Sequence, residues 1–458
     1  MGGLNAALLI GVSGLEASQG ALDATSNNIA NVNTPGYTRE EALLSESPEN
    51  ENGNEITGGG VNLLGLQSIR DELLNLQIQQ QTSMQSAADT ETASLQQVQT
   101  YFNPTGTDIA SALSNFSSSL VQLSGNANSS SAQQAVLAAG QNLAAAFNTT
   151  ANGLTGAQTA ADQQVPETVS QINTLTQQIA QLNGQLAQVP AGENGGTTQD
   201  QLDQAVQKLA GLTNISVTQT NNGETITTAN GTPLVEGNQS FSLQTATGAG
   251  GQEVVEDSNG NDITSAITGG TLGGSLQIAN QTIPGLLTQL NTLAGQFATA
   301  FNAAQTAGTD SNGNPGAAFF TGTTDPNTAA ADISVALTSP SQIAISSDGS
   351  AGGNGNIANL SAALTTALPS GQSVAGAYSS IVFNVGTAAS NASTQSSAIG
   401  DSLAQLNNQQ GSVSAVDIDE ETTNLLRYQT AYEAASRIVS TVQVLDNATL
   451  NMGSSSSF

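Results

Sequence analysis

The chain has 458 residues, with 35 Asp and Glu against 5 Lys and Arg, a formal net charge of −30, and no Cys, His or Trp. Without imidazole or thiol it lacks the usual ligands of zinc, haem and iron–sulfur centres and the commonest catalytic bases and nucleophiles. Nucleic acid and anionic lipid bind through phosphate neutralisation by Lys and Arg, so five cations exclude any broad footprint, and neither a nucleic-acid nor a membrane partner is expected.

The N-terminus, Met1-Gly2-Gly3-Leu4, has no positive charge ahead of its apolar stretch, so a cleaved secretory signal is not expected. No apolar run anywhere reaches the roughly 18 residues of a membrane-spanning helix. Residues 4–32 carry a heptad: Leu8, Leu15, Leu22 and Ile29 recur at one seam position, and Leu4, Gly11, Ser18, Thr25 and Val32 at the other. This predicts a coiled-coil helix whose small residues allow close approach; an amphipathic helix packed on its own domain would give the same pattern. The helix should stop at Asn33-Thr34-Pro35-Gly36.

Residues 46–60, rich in Glu, Asn and Gly, read as a loop, with Gly58-Gly59-Gly60 a turn, and 62–101 as mostly helix. Further helices are predicted at 107–124, 131–151 and 164–190. In the last, Ile172, Leu175, Ile179, Leu182, Leu186 and Val189 step 3-4-3-4-3, Val165-Pro166-Glu167 suits a start, and the Gly-rich stretch from Pro190 an end. A short helix at about 198–211 follows.

The period then changes to two. β-branched runs at Ile215–Val217, around Ile226, at Leu234–Val235 and at Phe241–Leu243 are separated by Asn221-Asn222-Gly223, Asn230-Gly231 and Gly237-Asn238. Turns of this type between such runs are the strongest short hairpin signal, so 212 to about 268 reads as an inserted β-domain. Helical spacing returns from Leu276 through Ile283, Leu286, Leu290, Leu293, Phe297 and Phe301, with Pro284 marking a start or a kink. Residues 308–356 read as a long loop with one or two strands, and 373–408 as helix. A C-terminal helix is predicted from near Asp417 to about Met452. Its first turn holds Asp417, Asp419, Glu420 and Glu421, where the helix dipole favours anions, and its seam is Leu425, Tyr428, Tyr432, Ala435, Val439, Val442 and Leu445.

The fold class is therefore mainly α with an inserted β-domain, an elongated multi-domain rod whose N- and C-terminal helices pair in a coiled coil. The expected division is 1–62 with 373–458 as the terminal core, 63–211 with 272–307 as a helical domain, 212–271 as the β-domain, and 308–372 as a loop-rich segment.

The stretch Ser26-Asn27-Asn28-Ile29-Ala30-Asn31-Val32-Asn33-Thr34-Pro35-Gly36-Tyr37-Thr38-Arg39 closely resembles the N-terminal signature of the flagellar rod, hook and hook-associated axial family. The segment from Val416 through Asp419, Glu420, Asn424, Leu425, Arg427 and Tyr428 to Ala434 resembles its C-terminal signature. Gly36-Tyr37-Thr38-Arg39, where rod and hook proteins usually have Gly-Phe-Lys, is most similar to the branch at the hook–filament junction, as is Asn312-Gly313-Asn314 before Phe319-Phe320. The resemblance implies a non-enzymatic structural subunit that joins hook to filament. It also implies export by the flagellar type III apparatus without a cleaved signal, a cytoplasmic chaperone on the C-terminal helix, and an extracellular home on the flagellum. The partners it implies are a homo-oligomeric ring, the hook protein below and a second junction protein above. A seam left half exposed in one chain costs about 25 cal/mol per Å² of apolar surface, so the termini are expected to be disordered until they meet the growing end.

No catalytic residue, cofactor or metal ligand is expected. Asp310-Ser-Asn312-Gly-Asn314 has calcium-loop spacing, but Thr321 stands where an EF-hand loop needs a bidentate Glu; an Asx-rich turn is the plainer reading, as for Asp257–Asp262. The acidic run 417–421 reads as solvated helix capping. Rival readings are a hook or rod subunit, a secreted carboxylate-dependent glycosidase, which would need a deep acidic pocket with aromatic platforms, and a calcium-dependent adhesin, which would need repeated Asp/Gly loops.

Overall fold

The computed structural model describes residues 2–48, 50–52, 55–102, 106–189, 195–220, 223–249, 251–350 and 353–454. The expected end of a helix at 190–194, the Asn221-Asn222 pair and the last four residues lie outside them.

Helix α1 (Gly2–Asn31) and helix α11 (Ile418–Ser454) run antiparallel side by side. Gly11 faces Val439 and Gly14 faces Ala435, while Asn28 lies by Glu421 near the other end. The terminal helices thus pair as the heptads predict. The small seam positions Gly11, Ser18 and Thr25 are buried, because only short side chains fit where two backbones approach this closely.

The segment after α1 departs from expectation. β1 (Glu40–Glu46) and β4 (Val61–Ser68) form an antiparallel ribbon, with β2 (Asn50–Asn52) and β3 (Glu55–Thr57) paired between them in the chain. Within the predicted loop at 46–60 the described residues thus include the end of β1 and the strands β2 and β3, and the helix predicted from 62 begins only with α2 (Glu72–Phe102). The cause is tertiary. The Leu63 side chain fills the space that a β-carbon on Gly20 would occupy, and Val61 N donates to Ser13 Oγ at 3.3 Å, so the ribbon lies along α1. A two-stranded ribbon needs such support to be stable.

Helix α3 (Ile109–Gly125) is capped by Asp108, which accepts from Ser111 N at 3.1 Å. The helices predicted at 131–151 and 164–190 are one 57-residue helix, α4 (Ser130–Leu186), which runs through Pro166. An interior proline costs about 3 kcal/mol. The helix persists because Val165, Val169 and Ile172 on either side of it are buried in the core. Helix α5 (Gly196–Leu212) leads into a sheet of order β5-β6-β7-β8 (Ile215–Thr220, Gly223–Thr228, Pro233–Glu236, Gln239–Ser240), followed by the β9–β10 hairpin (Gln244–Thr247, Glu253–Glu256). Helix α6 (Gly270–Gln277) continues through a π-wound segment, Ile278–Thr282, into α7 (Ile283–Thr306). Residues 308–350 and 353–354 hold the small pair β11 (Phe320–Thr321) and β12 (Ser334–Val335) with the short helix α8 (Ala329–Asp332) between them. Helices α9 (Gly355–Thr365) and α10 (Val374–Ser414) follow, and α10 packs along α2 on its way back to α11.

Two hydrophobic cores result. The first gathers Phe116, Phe147, Phe297, Phe301, Phe319 and Phe320 between α3, α4 and α7. Gly140 belongs here because a β-carbon would lie 2.6 Å from the Phe319 ring. The second packs Ile172, Ile179 and Leu182 of α4 against Leu202 and Leu209 of α5 and Ile226, Leu234 and Val235 of the sheet.

Candidate functional site

The chain's two motif-bearing ends meet at one place. Asn28, 1% exposed, is its centre. Its Oδ1 accepts from Tyr37 Oη and from Glu40 N, both at 2.9 Å, and its Nδ2 donates to Glu40 O at 2.9 Å. Three bonds from one amide fold the Asn33–Thr38 turn back onto α1. Asn27 and Asn31 stabilise the helix end locally: Asn31 Nδ2 donates to Asn27 O at 3.0 Å, and Thr34 Oγ1 to Asn31 Oδ1 at 3.2 Å. Pro35 O accepts from Gln204 Nε2 at 3.2 Å, tying the turn to α5. Gly36 has φ +76°, and Gln204 fills the position of its missing β-carbon, so both the backbone and the contact require glycine.

Arg39 joins the turn to the C-terminal segment. Its backbone N donates to Ser414 O at 2.9 Å, and its guanidinium meets Glu420 at 3.1 Å and Glu41 at 3.7 Å. Glu420 is over half exposed, so the ion pair orients more than it stabilises. Asp419 is exposed, and Asn424 and Leu425 are half-buried. Asp417 caps α11, accepting from Asp419 N at 2.9 Å and Glu420 N at 3.4 Å, as its position predicts. Glu421 does not fit the solvated reading of the acidic run. It is 3% exposed; burial pushes its carboxyl up, against hydrogen bonds from Asn28 and Thr25 and the charge of Arg39. Burial, reinforced by Glu40, Asp200 and Glu421, likewise pushes the Tyr37 phenol up, so it stays a neutral donor.

Beyond the turn stands a cluster that sequence reasoning missed. Arg70, between β4 and α2, pairs with Asp200 and, at 3.2 Å, with Asp203 of α5; Thr38 N donates to Asp200 Oδ2 at 3.2 Å. Asp200 thereby joins the turn after α1 to α5, with Arg70 balancing its charge. A short spacing motif could not reveal it, because the partners are 130 residues apart. The signal available was scarcity: Arg39 and Arg70 are two of the chain's five cations.

The predicted seam residues distribute unevenly. Leu8, Leu15, Leu22 and Ile29 are half-buried, as are Tyr428 and Val439; Ala435 and Val442 are buried. Tyr432 is 39% exposed and Leu445 49%. Leu9, Ile10, Leu426, Ile438, Val444 and Leu450 are exposed as well, so the helix pair carries apolar side chains on its outer surface.

An acidic cavity exists, of about 350 Å³, lined by Arg70, Glu72, Gln199, Asp203, Glu224 and neutral side chains. Burial first, and the Asp203 charge next, push the Glu224 carboxyl up to about 7; burial also raises Asp203, against the pull of Arg70. Glycoside cleavage needs two carboxyls with pKa values pushed apart. Here the Arg70 guanidinium lines the cavity beside both carboxyls and no aromatic does, so the sugar platforms that a glycosidase reading calls for are missing from its lining. The Asx loops are self-satisfied: Asp310 Oδ1 accepts from Asn312 N and Asn314 N at 2.8 Å, and Asp257 Oδ1 from Asn259 N and Asn261 N at 2.8 and 2.9 Å. Among the described residues no group of three acidic side chains has the geometry of a metal site. No helix among them is long and apolar enough to cross a membrane.

Comparison with known proteins bears on the same segments. The family profile "Flagellar hook-associated protein FlgK helical domain" matches residues 95–320. Residues 8–38 match "Flagella basal body rod protein" and 409–452 match "Flagellar basal body rod FlgEFG protein C-terminal". The chain is 32% identical to flagellar hook-associated protein 1 of Bacillus subtilis over 96% of both chains. It is 26% identical to the protein of that name from Escherichia coli, over 96% of this chain and 98% of that one. A 59-residue stretch, 13% of the chain, is 48% identical to a tenth of the flagellar hook protein of Caulobacter vibrioides. The flagellar hook junction protein FlgK of Burkholderia pseudomallei superimposes with a TM-score of 0.68, over 74% of this chain and all of that one, at 19% identity, which speaks to fold alone.

Proposed function

This chain belongs to the flagellar hook-associated protein 1 family, and from that premise we propose that it forms a ring after export, joins hook to filament and seats the second junction protein on its filament side. The family is structural and flagellar, and no catalytic role is proposed. The observation that carries the reading is the α1–α11 pair. Its seam of small residues is satisfied within one chain, while Leu9, Ile10, Leu426, Ile438 and Val444 remain on the outside. Apolar surface gathered on one pair of helices is stabilised by covering it, and adjacent copies stacked in a ring supply that cover. The turn that follows α1 is tied to α5 by Thr38 N on Asp200, a carboxylate that Arg70 also holds, and by Gln204 on Pro35 O, which supports a subunit that packs with its helix pair anchored to the outer domain.

Export through the flagellar type III apparatus, with a chaperone holding α11, is part of the same proposal. A deletion strain tests it. The expected phenotype is hooks without filaments and unpolymerised flagellin in the medium. Cells lacking hooks would instead indicate a hook or rod subunit, and motile cells with normal filaments would refute the proposal.

A further inference from the structure

The two hydrophobic cores are separated by a plane at which the helices change partners. In α4 the first core ends at Ala161 and the second begins at Val165; in the α6–α7 helix the second core ends at Leu276 and the first resumes at Ile278. Both helices are irregular at that level, for different reasons. Pro166 has no N–H, so the Asp162 carbonyl loses its helical donor and the pyrrolidine ring crowds the preceding turn. Ile278–Thr282 is π-wound, with Ile283 N donating to Ile278 O five residues back, and Pro284 follows at once. The two helices touch just below the proline turn: Gln158 Nε2 of α4 donates to Ala279 O of the π segment at 3.0 Å.

Unpartnered polar atoms and a cleft adjoin these turns. Asp162 Oδ1 and Asn280 Oδ1 are buried with no hydrogen-bond partner in the protein. A cleft of about 780 Å³ opens beside the π segment, bounded by Glu91 of α2, Gln158, Gln277, Asn280 and the β9–β10 hairpin. By contrast α2 and α10 carry neither a proline nor a π-wound turn along their length. Long regular helices curve gently, whereas sharp bends concentrate at prolines and π-bulges.

We propose that this plane is a built-in bending joint, at which the phenylalanine-cored half tilts against the half that carries the β-sheet and the Arg70 cluster, with neither core unpacking. Pro166 and the π segment supply one weak turn in each helix near the plane, the polar cleft supplies the room, and α2 with α10 act as the flexing straps.

The chain has no cysteine, so a pair of introduced ones can be spin-labelled without background. Asn142→Cys with Gln178→Cys places labels on exposed sites of α4 on either side of Pro166, about 54 Å apart at 1.5 Å per residue. Asn142→Cys with Thr365→Cys keeps both labels in the first half as a control. Double electron–electron resonance on the full chain should give a broader distance distribution across the plane than within the half, and Pro166→Ala should narrow it. Hydrogen exchange on the unmodified chain should be faster at 163–168 and 278–284 than in the flanking turns, a readout that stands even if a variant misfolds. A cross-plane distribution as narrow as the control, an unchanged width in Pro166→Ala, or equal protection along both helices would overturn the joint.

Discussion

Gly11 of α1 lies directly against Val439 of α11: a β-carbon on residue 11 would sit 2.9 Å from Val439 Cγ2 and 3.3 Å from Ile438 Cγ2. This contact sets how closely the two ends of the chain approach. Gly11→Leu should therefore force the helices apart and destabilise the chain by about 1–3 kcal/mol, the usual cost of overpacking. Gly11→Ala should cost less, and nearly nothing in a Val439→Ala background, since the second change removes the obstructing methyl. A double-mutant cycle by thermal melting reads this coupling; simple additivity would contradict the geometry.

A charge in the same seam is a harsher test. Val439→Asp places a carboxylate against Gly11 with no cation to meet it, at several kcal/mol, and Leu22→Asp does the same at a half-buried position of α1. Both should fail to enter the flagellum, as scored by complementing a deletion strain on swarm plates. Full motility in either would count against the helix pair as the assembly element.

At the folded-back turn the buried amide should matter more than the ion pair. Asn28→Ala strands Tyr37 Oη and Glu40 N inside the structure and should cost about 1–3 kcal/mol. Glu420→Gln removes a partly exposed pair with Arg39 and should cost under about 1 kcal/mol. Urea denaturation of the two variants gives the order directly, and the reverse order would mean the ion pair holds the turn.

The Glu224 carboxyl, raised to about 7 by burial and by Asp203, makes stability depend on pH. Its folded value lies above the unfolded one, so the folded state binds the extra proton. The stabilisation is complete below the ordinary carboxyl value of 4.5 and is lost as pH rises through about 7. Glu40, Asp203 and Glu421 are raised too and act in the same direction. The melting temperature should fall between these limits, and Glu224→Gln should flatten the slope by at most about 3 kcal/mol over the window. An identical slope in the variant would show that other groups carry it.

The Asx loops are closed by their own hydrogen bonds. Asp310 has its carboxyl lowered by backbone and side-chain hydrogen bonds from Asn314 and Asn312, which outweigh burial. With its oxygens already engaged, calcium has little to displace. Millimolar calcium or a chelator should leave the melting temperature unchanged, and a calcium-dependent rise abolished by Asp310→Ala would restore the calcium reading.

Residues whose neighbours lie nearby in the chain were legible in advance. The heptads at Leu8–Ile29 and Leu425–Leu445 gave α1 and α11 to within a few residues, and the turns at Asn230-Gly231 and Gly237 gave the β insertion. The β1–β4 ribbon was not legible, because Leu63, Leu64 and Leu66 carry no clear period of their own, and Leu63 is strand only because Gly20 leaves a place for it. The continuity of α4 was hidden too: proline signals a boundary, and only the core around Val165 and Val169 overrides it.

The seam spacing, the signature asparagines and the shortage of cations were fixed by the sequence alone, since periodicity and composition are properties of the chain itself. Only the folded structure decided that Arg70 would meet Asp200 and Asp203, that Glu421 would be buried while Asp419 is not, and that Gly11 would face Val439. Those contacts join residues more than a hundred positions apart or on different faces of one helical turn, and their energy comes from desolvation and close packing, which exist only once the surrounding elements have closed around them.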